Sequence, residues 1–400
     1  MLRYLLSTLC LLLLLSSCQS YKNVHKNAIL IDTHNDVLSS VTMKGMSIEQ
    51  DLTGKAQSDI ARFKKGGVDI QVFSIFCDEQ FGKDTAFKFA NIEIDSLYAI
   101  VNRNPQKMMM VTNPPQLQEA VRKQKLGCMI GVEGGHMIED NIANLDSLYK
   151  RGARYMTLTW NNSTSWATSA ADESKMAPGT QRGLTPFGRQ VVRRMNELGM
   201  MVDLSHVGVQ TFWDAINTST KPVIASHSSV YALCPVPRNL NDRQILAIAN
   251  KGGVIDLNFY SGFLDSNYTQ RQKQFNAGHQ HQIDSLKNLK WSSYSIDEWL
   301  AKEYPAEANE LRPPLSVLLD HLDYIVKLAG VDHVGIGSDF DGISSSPQQL
   351  DDVTSFPLIT KELLKRGYKK TAIDKILGGN FIRVFTACQE GTLQALPAVQ

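Results

Sequence analysis

The stretch Ala28-Ile29-Leu30-Ile31-Asp32-Thr33-His34-Asn35-Asp36 sets a short apolar run against an end rich in polar, ligand-forming side chains. The recurrence of that pattern decides the fold. Apolar runs return at Val68–Cys77, Gly127–Val132, Tyr155–Trp160, Met200–Ser205, Pro222–Ser226, Gly253–Asn258 and His333–Ser338, each followed by a turn or a polar cluster. Between several of them lie stretches with helical spacing: Asp59–Lys65, Ala86–Asn102, Leu145–Arg151, Pro186–Leu198 and Asp242–Asn250. Strands alternating with helices imply a parallel sheet. Eight such runs, with no G-x-G-x-x-G after the first, favour an α/β fold of the closed (β/α)8 TIM type over an open doubly wound sheet.

One interval breaks the rhythm. Residues 260–314 are long, polar and rich in Gln, Asn and Lys, and read as an insertion between strands seven and eight that covers the barrel mouth. His279 and His281 lie inside it with no apolar flank, so both read as solvated. After strand eight, Phe356–Arg366 and Thr371–Leu377 read as helices, with Gly378-Gly379-Asn380 as a stop before a last short one. The barrel then occupies residues 28–390 as one domain.

The chain has 400 residues, 43% of them hydrophobic and 20% charged, the composition of an ordinary globular protein. Its 41 Lys and Arg against 40 Asp and Glu leave no excess of basic charge to neutralise phosphates, so nucleic acid is not an expected partner. Arg3 followed by the Leu-rich run Tyr4–Leu15 is too short to span a bilayer, which needs about 20 apolar residues, and reads as a signal peptide over residues 1–17. Leu15-Ser16-Ser17-Cys18 resembles the bacterial lipoprotein box, in which the cysteine is acylated. Residues 18–27 would then be a tether, placing the protein in the bacterial cell envelope, lipid-anchored and facing the periplasm or the exterior. Cys77, Cys128, Cys234 and Cys388 are widely spaced and suggest neither a zinc ribbon nor a disulfide scaffold.

In a parallel barrel the site lies at the C-terminal ends of the strands. Strand one ends in His34 and Asp36, which alternation puts on one side of an extended chain. Strand three ends in Glu133, strand five in His206, strand six in His227 and strand eight in Asp339, with Asp341 two residues on. Barrel closure would converge them, and so many carboxylates at one level need cations to neutralise them. Histidine with carboxylate and no cysteine suits Zn2+ first, with Mn2+, Co2+ or Fe2+ open. Six candidates exceed what one tetrahedral ion uses, so two ions are expected, bridged by Glu133. Such a pair makes a hydroxide available near neutral pH and polarises a carbonyl, with Asp339 moving the proton. Asp32 reads as orienting a ligand, His136 as structural or supporting and Asp341 as holding its own loop.

The same segments resemble the renal (membrane) dipeptidase family of the amidohydrolase superfamily, from about Ile29 to Phe385. The resemblance is carried by Ile31-Asp32-Thr33-His34-Asn35-Asp36, Gly131-Val132-Glu133-Gly134-Gly135-His136, Asp203-Leu204-Ser205-His206, Ala225-Ser226-His227-Ser228, Arg238-Asn239-Leu240-Asn241-Asp242 and Gly335-Ile336-Gly337-Ser338-Asp339-Phe340-Asp341-Gly342. It implies a barrel with two zinc ions, one held by His34, Asp36 and Glu133 and the other by Glu133, His206 and His227. It also implies Asp339 as acid/base and Arg238 as the clamp on the substrate's carboxylate; without the resemblance, Arg238 reads as a surface salt bridge. The implied reaction is hydrolysis of dipeptides by a metal-bridging hydroxide, including those with a C-terminal D-residue. Where the family carries a substrate-contacting histidine after strand four, this chain has Trp160-Asn161-Asn162. Trp160 then lines the substrate site and Asn161 or Asn162 is the expected substitute donor. The competing readings are an amidohydrolase acting on an N-acyl amino acid, lactone or phosphoester, and a non-catalytic lipoprotein binding metal or peptide. A homodimer is a candidate assembly.

Overall fold

In a computed structural model the protein is described over residues 21–78, 81–82 and 84–391. Nine strands, all parallel, run in the order β1 (Leu30–Asn35), β2 (Val68–Ile75), β4 (Leu126–Glu133), β5 (Ala153–Thr157), β6 (Met201–Asp203), β7 (Val223–Ser228), β8 (Val254–Leu257) and β9 (Val334–Ile336), with β3 (Met108–Met110) paired to β4 off this path. The eight strands on the path are the eight expected, so the fold is the (β/α)8 barrel. Closure falls at the strand ends. Asn35 pairs with Phe340, the Asp36 N–H donates to the Phe340 carbonyl at 3.0 Å, and the Asp339 N–H donates to that of His34 at 3.1 Å.

The eight strands on the path are buried almost throughout on both faces, which is why the sequence shows continuous apolar runs rather than alternation. Every residue of β1, β4 and β7 is buried. One face packs into the shell between strands and helices, where Leu30, Phe73, Ile130 and Leu319 belong to a single core. Ile31, Val72, Met129, Tyr155, Met201 and Ile224 form a second cluster with Phe381 and Phe385 of the helix Asn380–Gln389. Local signals set the helices. Thr185 caps Pro186–Leu198 by accepting the Gly188 N–H, Pro186 starts the helix and Gly199 ends it in the left-handed region. Such a cap contributes about 1 kcal/mol.

Three features differ from the sequence reading. The short strand β3 was not expected, because a three-residue run after Pro105 gives almost no periodic signal. Gly378-Gly379 does not stop a helix. The chain continues through a π-helical segment, Lys375–Gly379, between Lys370–Asp374 and Asn380–Gln389, with Gly378 against the Ile29 carbonyl, where a Cβ would come within 2.5 Å. Within the insertion, Ser261–Leu264, Tyr268–Gly278, Gln280–Asn288, Ser293–Glu303 and Pro305–Leu311 are helices with a small core of their own around Ile283, Ile296 and Leu300. His279 is buried beside that core, stacked on Tyr304 with ring centroids 3.8 Å apart, so only His281 is solvated.

At the other end of the chain, residues 21–27 of the expected tether form a helix. His25 ties it to the barrel, its two ring nitrogens meeting Thr360 Oγ1 at 2.8 Å and the Gly66 carbonyl at 2.9 Å. The signal segment and Cys18 lie outside the described residues. The four described cysteines are free and buried, and no helix among the described residues is long and apolar enough to cross a membrane.

Candidate active site

The mouth opens into a cavity of about 730 Å3 lined by Asp36, Glu133, His206 and Asp339, with Phe76, Trp160, Tyr260, Phe263 and Tyr294 among its walls. The three tyrosine and phenylalanine residues numbered above 250 come from the insertion, which thus helps to enclose the site.

Glu133, the last residue of β4, is the hub. Its Oε2 lies 3.5 Å from His34 Nε2, while its Oε1 lies 3.0 Å from His206 Nε2 and 3.5 Å from His227 Nε2. His34 Nε2 is also 3.3 Å from Asp36 Oδ2. Two sets, His34–Glu133–His227 and His34–Asp36–Asp339, each bring their ligand atoms within 4.8 Å of one another. The carboxylate therefore divides its two oxygens between two groups of donors, the arrangement a bridging ligand requires.

The other ring nitrogens are already committed. His34 Nδ1 meets the Tyr155 hydroxyl at 2.8 Å, and that hydroxyl donates to the Thr33 carbonyl at 3.0 Å, so it can only accept from the imidazole. Likewise Ser226 Oγ donates to Asp203 Oδ2 at 2.6 Å and accepts from His227 Nδ1 at 2.8 Å. His206 Nδ1 donates to Asn161 Oδ1 at 3.1 Å. All three Nε2 atoms consequently turn lone pairs into the cluster. His206 Nε2 and His227 Nε2 stand 2.9 Å apart, and His34 Nε2 and Asp36 Oδ1 are buried without a hydrogen-bond partner. Facing lone pairs and carboxylates in a dry site repel unless a cation lies between them. These residues fit divalent metal.

Electrostatics within the protein follow the same geometry. Where protons rather than a cation fill the gaps between these groups, charge on His34 and N–H bonds from His206 and His227 hold Glu133 well below the usual carboxylate range, although burial alone would raise it. Burial, with Arg238 nearby, pushes His206 down to about 4, which keeps the imidazole neutral as a ligand must be. Asp339 goes the other way. Burial first, then the neighbouring Asp36 and Glu133, raise it well above an ordinary aspartate, and Asn258 Nδ2 donates to its Oδ2 at 2.8 Å. His206, Asp339 and Asp341 have φ of 64°, 61° and 65°. Left-handed backbone at non-glycine residues costs of order 1–3 kcal/mol each and is found where the surroundings hold a functional geometry.

The remaining sequence candidates fall into place around this centre. Arg238 is no surface salt bridge. Among the described residues it meets no carboxylate, and instead donates to Ser228 Oγ at 2.7 Å and to the His227 carbonyl at 2.8 Å, with a buried, unpartnered Nε. Trp160 lines the cavity and packs against Phe76, ring centroids 4.8 Å apart. Asn161 also lines it, whereas Asn162 is outside the lining and its buried Oδ1 has no partner. Asp32 accepts from both the N–H and the hydroxyl of Ser338 at 2.7 Å, fixing the residue before Asp339. Asp341 accepts the Gln57 N–H at 2.7 Å, and His136 Nε2 meets the Cys77 carbonyl at 2.9 Å, both outside the ligand cluster. Tyr155, Asn258, Tyr260 and Tyr294 escaped the sequence reading. Of these only Tyr155 left a signal, a polar-tipped side chain between the inward positions of a barrel strand.

A parallel (β/α)8 barrel with a histidine–carboxylate centre open to a cleft at its strand C-termini defines a metallohydrolase. The sequence matches the family profile of the membrane dipeptidases, peptidase family M19, over residues 18–395, and the chain belongs to that family. An uncharacterised dipeptidase of Schizosaccharomyces pombe is 30% identical over 395 residues, covering 94% of this chain and 84% of that protein. Among solved structures, the probable dipeptidase PvdM from Pseudomonas aeruginosa superposes with a TM-score of 0.78 at 24% identity, over 94% of this chain and 99% of that one. A metallopeptidase from Rhodobacter sphaeroides, liganded with a phosphinate mimic of the dipeptide L-Ala-D-Ala, does so with a TM-score of 0.72 at 23% identity, over 90% of this chain and 100% of that one.

Proposed function

We propose that this metallodipeptidase works with two zinc ions, one held by His34, Asp36 and Glu133 and the other by Glu133, His206 and His227. The observation that carries the reading is the convergence of three imidazole lone pairs on the two oxygens of one buried carboxylate. Zinc bound there would supply a water-derived nucleophile near neutral pH and polarise the peptide carbonyl. The protein's own groups do the rest. Asp339, steadied by Asn258, takes the proton of the attacking water and returns it to the leaving amine. Arg238, its guanidinium held by Ser228 and the His227 carbonyl, receives the substrate's C-terminal carboxylate. Trp160 forms part of the wall, and Asn161, which fixes His206 through its carbonyl oxygen, keeps its amide N–H2 for the substrate. The mimic-bound relative supports extending the substrates to dipeptides with a C-terminal D-residue. The N-terminal pattern supports acylation at Cys18 and a lipid-anchored place in the cell envelope.

The test is elemental analysis of protein purified without chelator, together with hydrolysis of free L,L- and L,D-dipeptides. The expected result is two zinc ions per chain and turnover of both series. One ion or none with activity intact would overturn the two-ion centre, and loss of L,D turnover alone would remove the D-residue. Cys18→Ser should abolish membrane partitioning or block processing; unchanged partitioning would end the lipid-anchor reading.

A further inference from the structure

The near-zero net charge of +1 conceals a polar distribution. The cavity at the strand C-termini gathers Asp36, Asp78, Glu133, Asp297 and Asp339 against one lysine, Lys44. At the opposite end of the barrel lysines outnumber free carboxylates, since Asp69 there accepts the Leu30 N–H and Asp332 pairs with Lys375. Lys64 and Lys65 lie just before β2, Lys107 immediately before β3 and Lys251 three residues before β8. Lys22 and Lys26 belong to the helix of residues 21–27, which His25 pins beside Lys64 and Lys65 through the Gly66 carbonyl. All but the half-buried Lys251 are exposed, and among the described residues no carboxylate pairs with any of the six.

We propose that this end of the barrel is a docking face for an anionic phospholipid surface, so that the catalytic mouth points away from the bilayer. The occupant follows from where the undescribed chain ends. Residues 1–20 join the described structure at Tyr21, the first residue of the helix that carries Lys22 and Lys26, and hold the apolar run Tyr4–Leu15 and Cys18. The inference rests on the envelope reading above for the presence of a membrane, and adds the orientation. Lipid attachment commonly needs a second signal such as a polybasic patch, anionic lipid headgroups attract juxtamembrane lysines, and the same field repels an acidic mouth.

The experiment is amine footprinting of the full-length chain with a membrane-impermeant acylating reagent, on vesicles of phosphatidylcholine alone and of phosphatidylcholine with phosphatidylglycerol. Lys22, Lys26, Lys64, Lys65 and Lys107 should react several-fold more slowly on the anionic vesicles only, and high salt should restore their reactivity. Lys287 and Lys290, exposed near the cavity residues Ser292 and Tyr294, should react equally on both. The double variant Lys64→Glu/Lys65→Glu should reduce the protection of Lys22, Lys26 and Lys107 while leaving dipeptide turnover unchanged. Equal reactivity of both sets, or protection of Lys287 and Lys290, would overturn the proposal. So would protection that grows with protein concentration in the absence of vesicles, which would assign the face to a second copy of the chain. The two readings separate cleanly. Sedimentation with both vesicle types but no footprint means that the anchor stands and the face falls. A salt-sensitive footprint on anionic vesicles that is indifferent to Cys18→Ser means that the face stands and the anchor falls.

Discussion

The Tyr155 hydroxyl gives its proton to the Thr33 carbonyl and so offers only a lone pair to His34 Nδ1, 2.8 Å away. A phenol from β5 thereby fixes the tautomer of an imidazole on β1 and aims Nε2 at Asp36 and Glu133. Tyr155→Phe should keep the barrel while leaving Nδ1–H without its acceptor. Loss of such a partner typically weakens metal affinity 10–100-fold, so competition with a chelator should strip the variant at correspondingly lower chelator concentrations. Unchanged affinity would mean that the hydroxyl only fills space.

Gly342 sits where Asp36 and Asp339 come together at the mouth. A Cβ there would fall 2.2 Å from Asp36 Oδ2 and 2.5 Å from Asp339 Oδ1. Overpacking of this kind costs about 1–3 kcal/mol. Gly342→Ala should therefore spread the pair, and kcat should fall at least tenfold while the circular dichroism spectrum stays native.

Asp339→Asn preserves shape and the approach of Asn258 but cannot accept a proton. Turnover should fall by several orders of magnitude, with zinc content, measured by elemental analysis, close to that of the parent. Simultaneous loss of metal would make Asp339 a ligand before a proton carrier.

Arg238→Ala should raise KM most for substrates with a free C-terminal carboxylate. Peptide amides are the control. Equal losses on free dipeptides and on their amides would remove the clamp role and leave Arg238 as a brace for the Ser228 and His227 segment.

His321 makes a pH prediction away from the metal centre. Its Nδ1 accepts the Val230 N–H and its Nε2 donates to the Leu264 carbonyl, both at 3.0 Å, so the ring is held neutral with no room for a second proton. Burial pushes its pKa down to about 4, against about 6.5 in the unfolded chain. The unfolded state therefore gains a proton first as pH falls. Stability from this group is fully present above pH 6.5 and is lost as pH falls through 4, by at most about 3 kcal/mol. The stability gap between the parent and His321→Asn, read from urea unfolding, should narrow across that window; a constant gap would refute the assignment.

The sequence by itself determined the barrel and which polar side chains gather at its mouth. Strands buried on both faces must be apolar along their whole length, so eight of them stand out, and the polar residues at their ends, His34, Asp36, Glu133, His206, His227 and Asp339, are legible as one level of a closed sheet. Glu133 was legible as a member of that level from its place at the end of an apolar run alone. What the chain's order could not supply were contacts between strands far apart in sequence. Tyr155 behind His34, Asp203 and Ser226 behind His227, Asn258 under Asp339 and the freedom of Arg238 from any carboxylate all depend on barrel register. The insertion is the same case. Its polar composition marked it as outside the barrel, yet its helices gather a small core around Ile283, Ile296 and Leu300 and bring Tyr260 and Tyr294 to the cavity. Burial along a strand is a local property, written in each segment's own composition. Which hydrogen bond holds which ligand is set by pairs of segments, and only the closed barrel chooses the pairs.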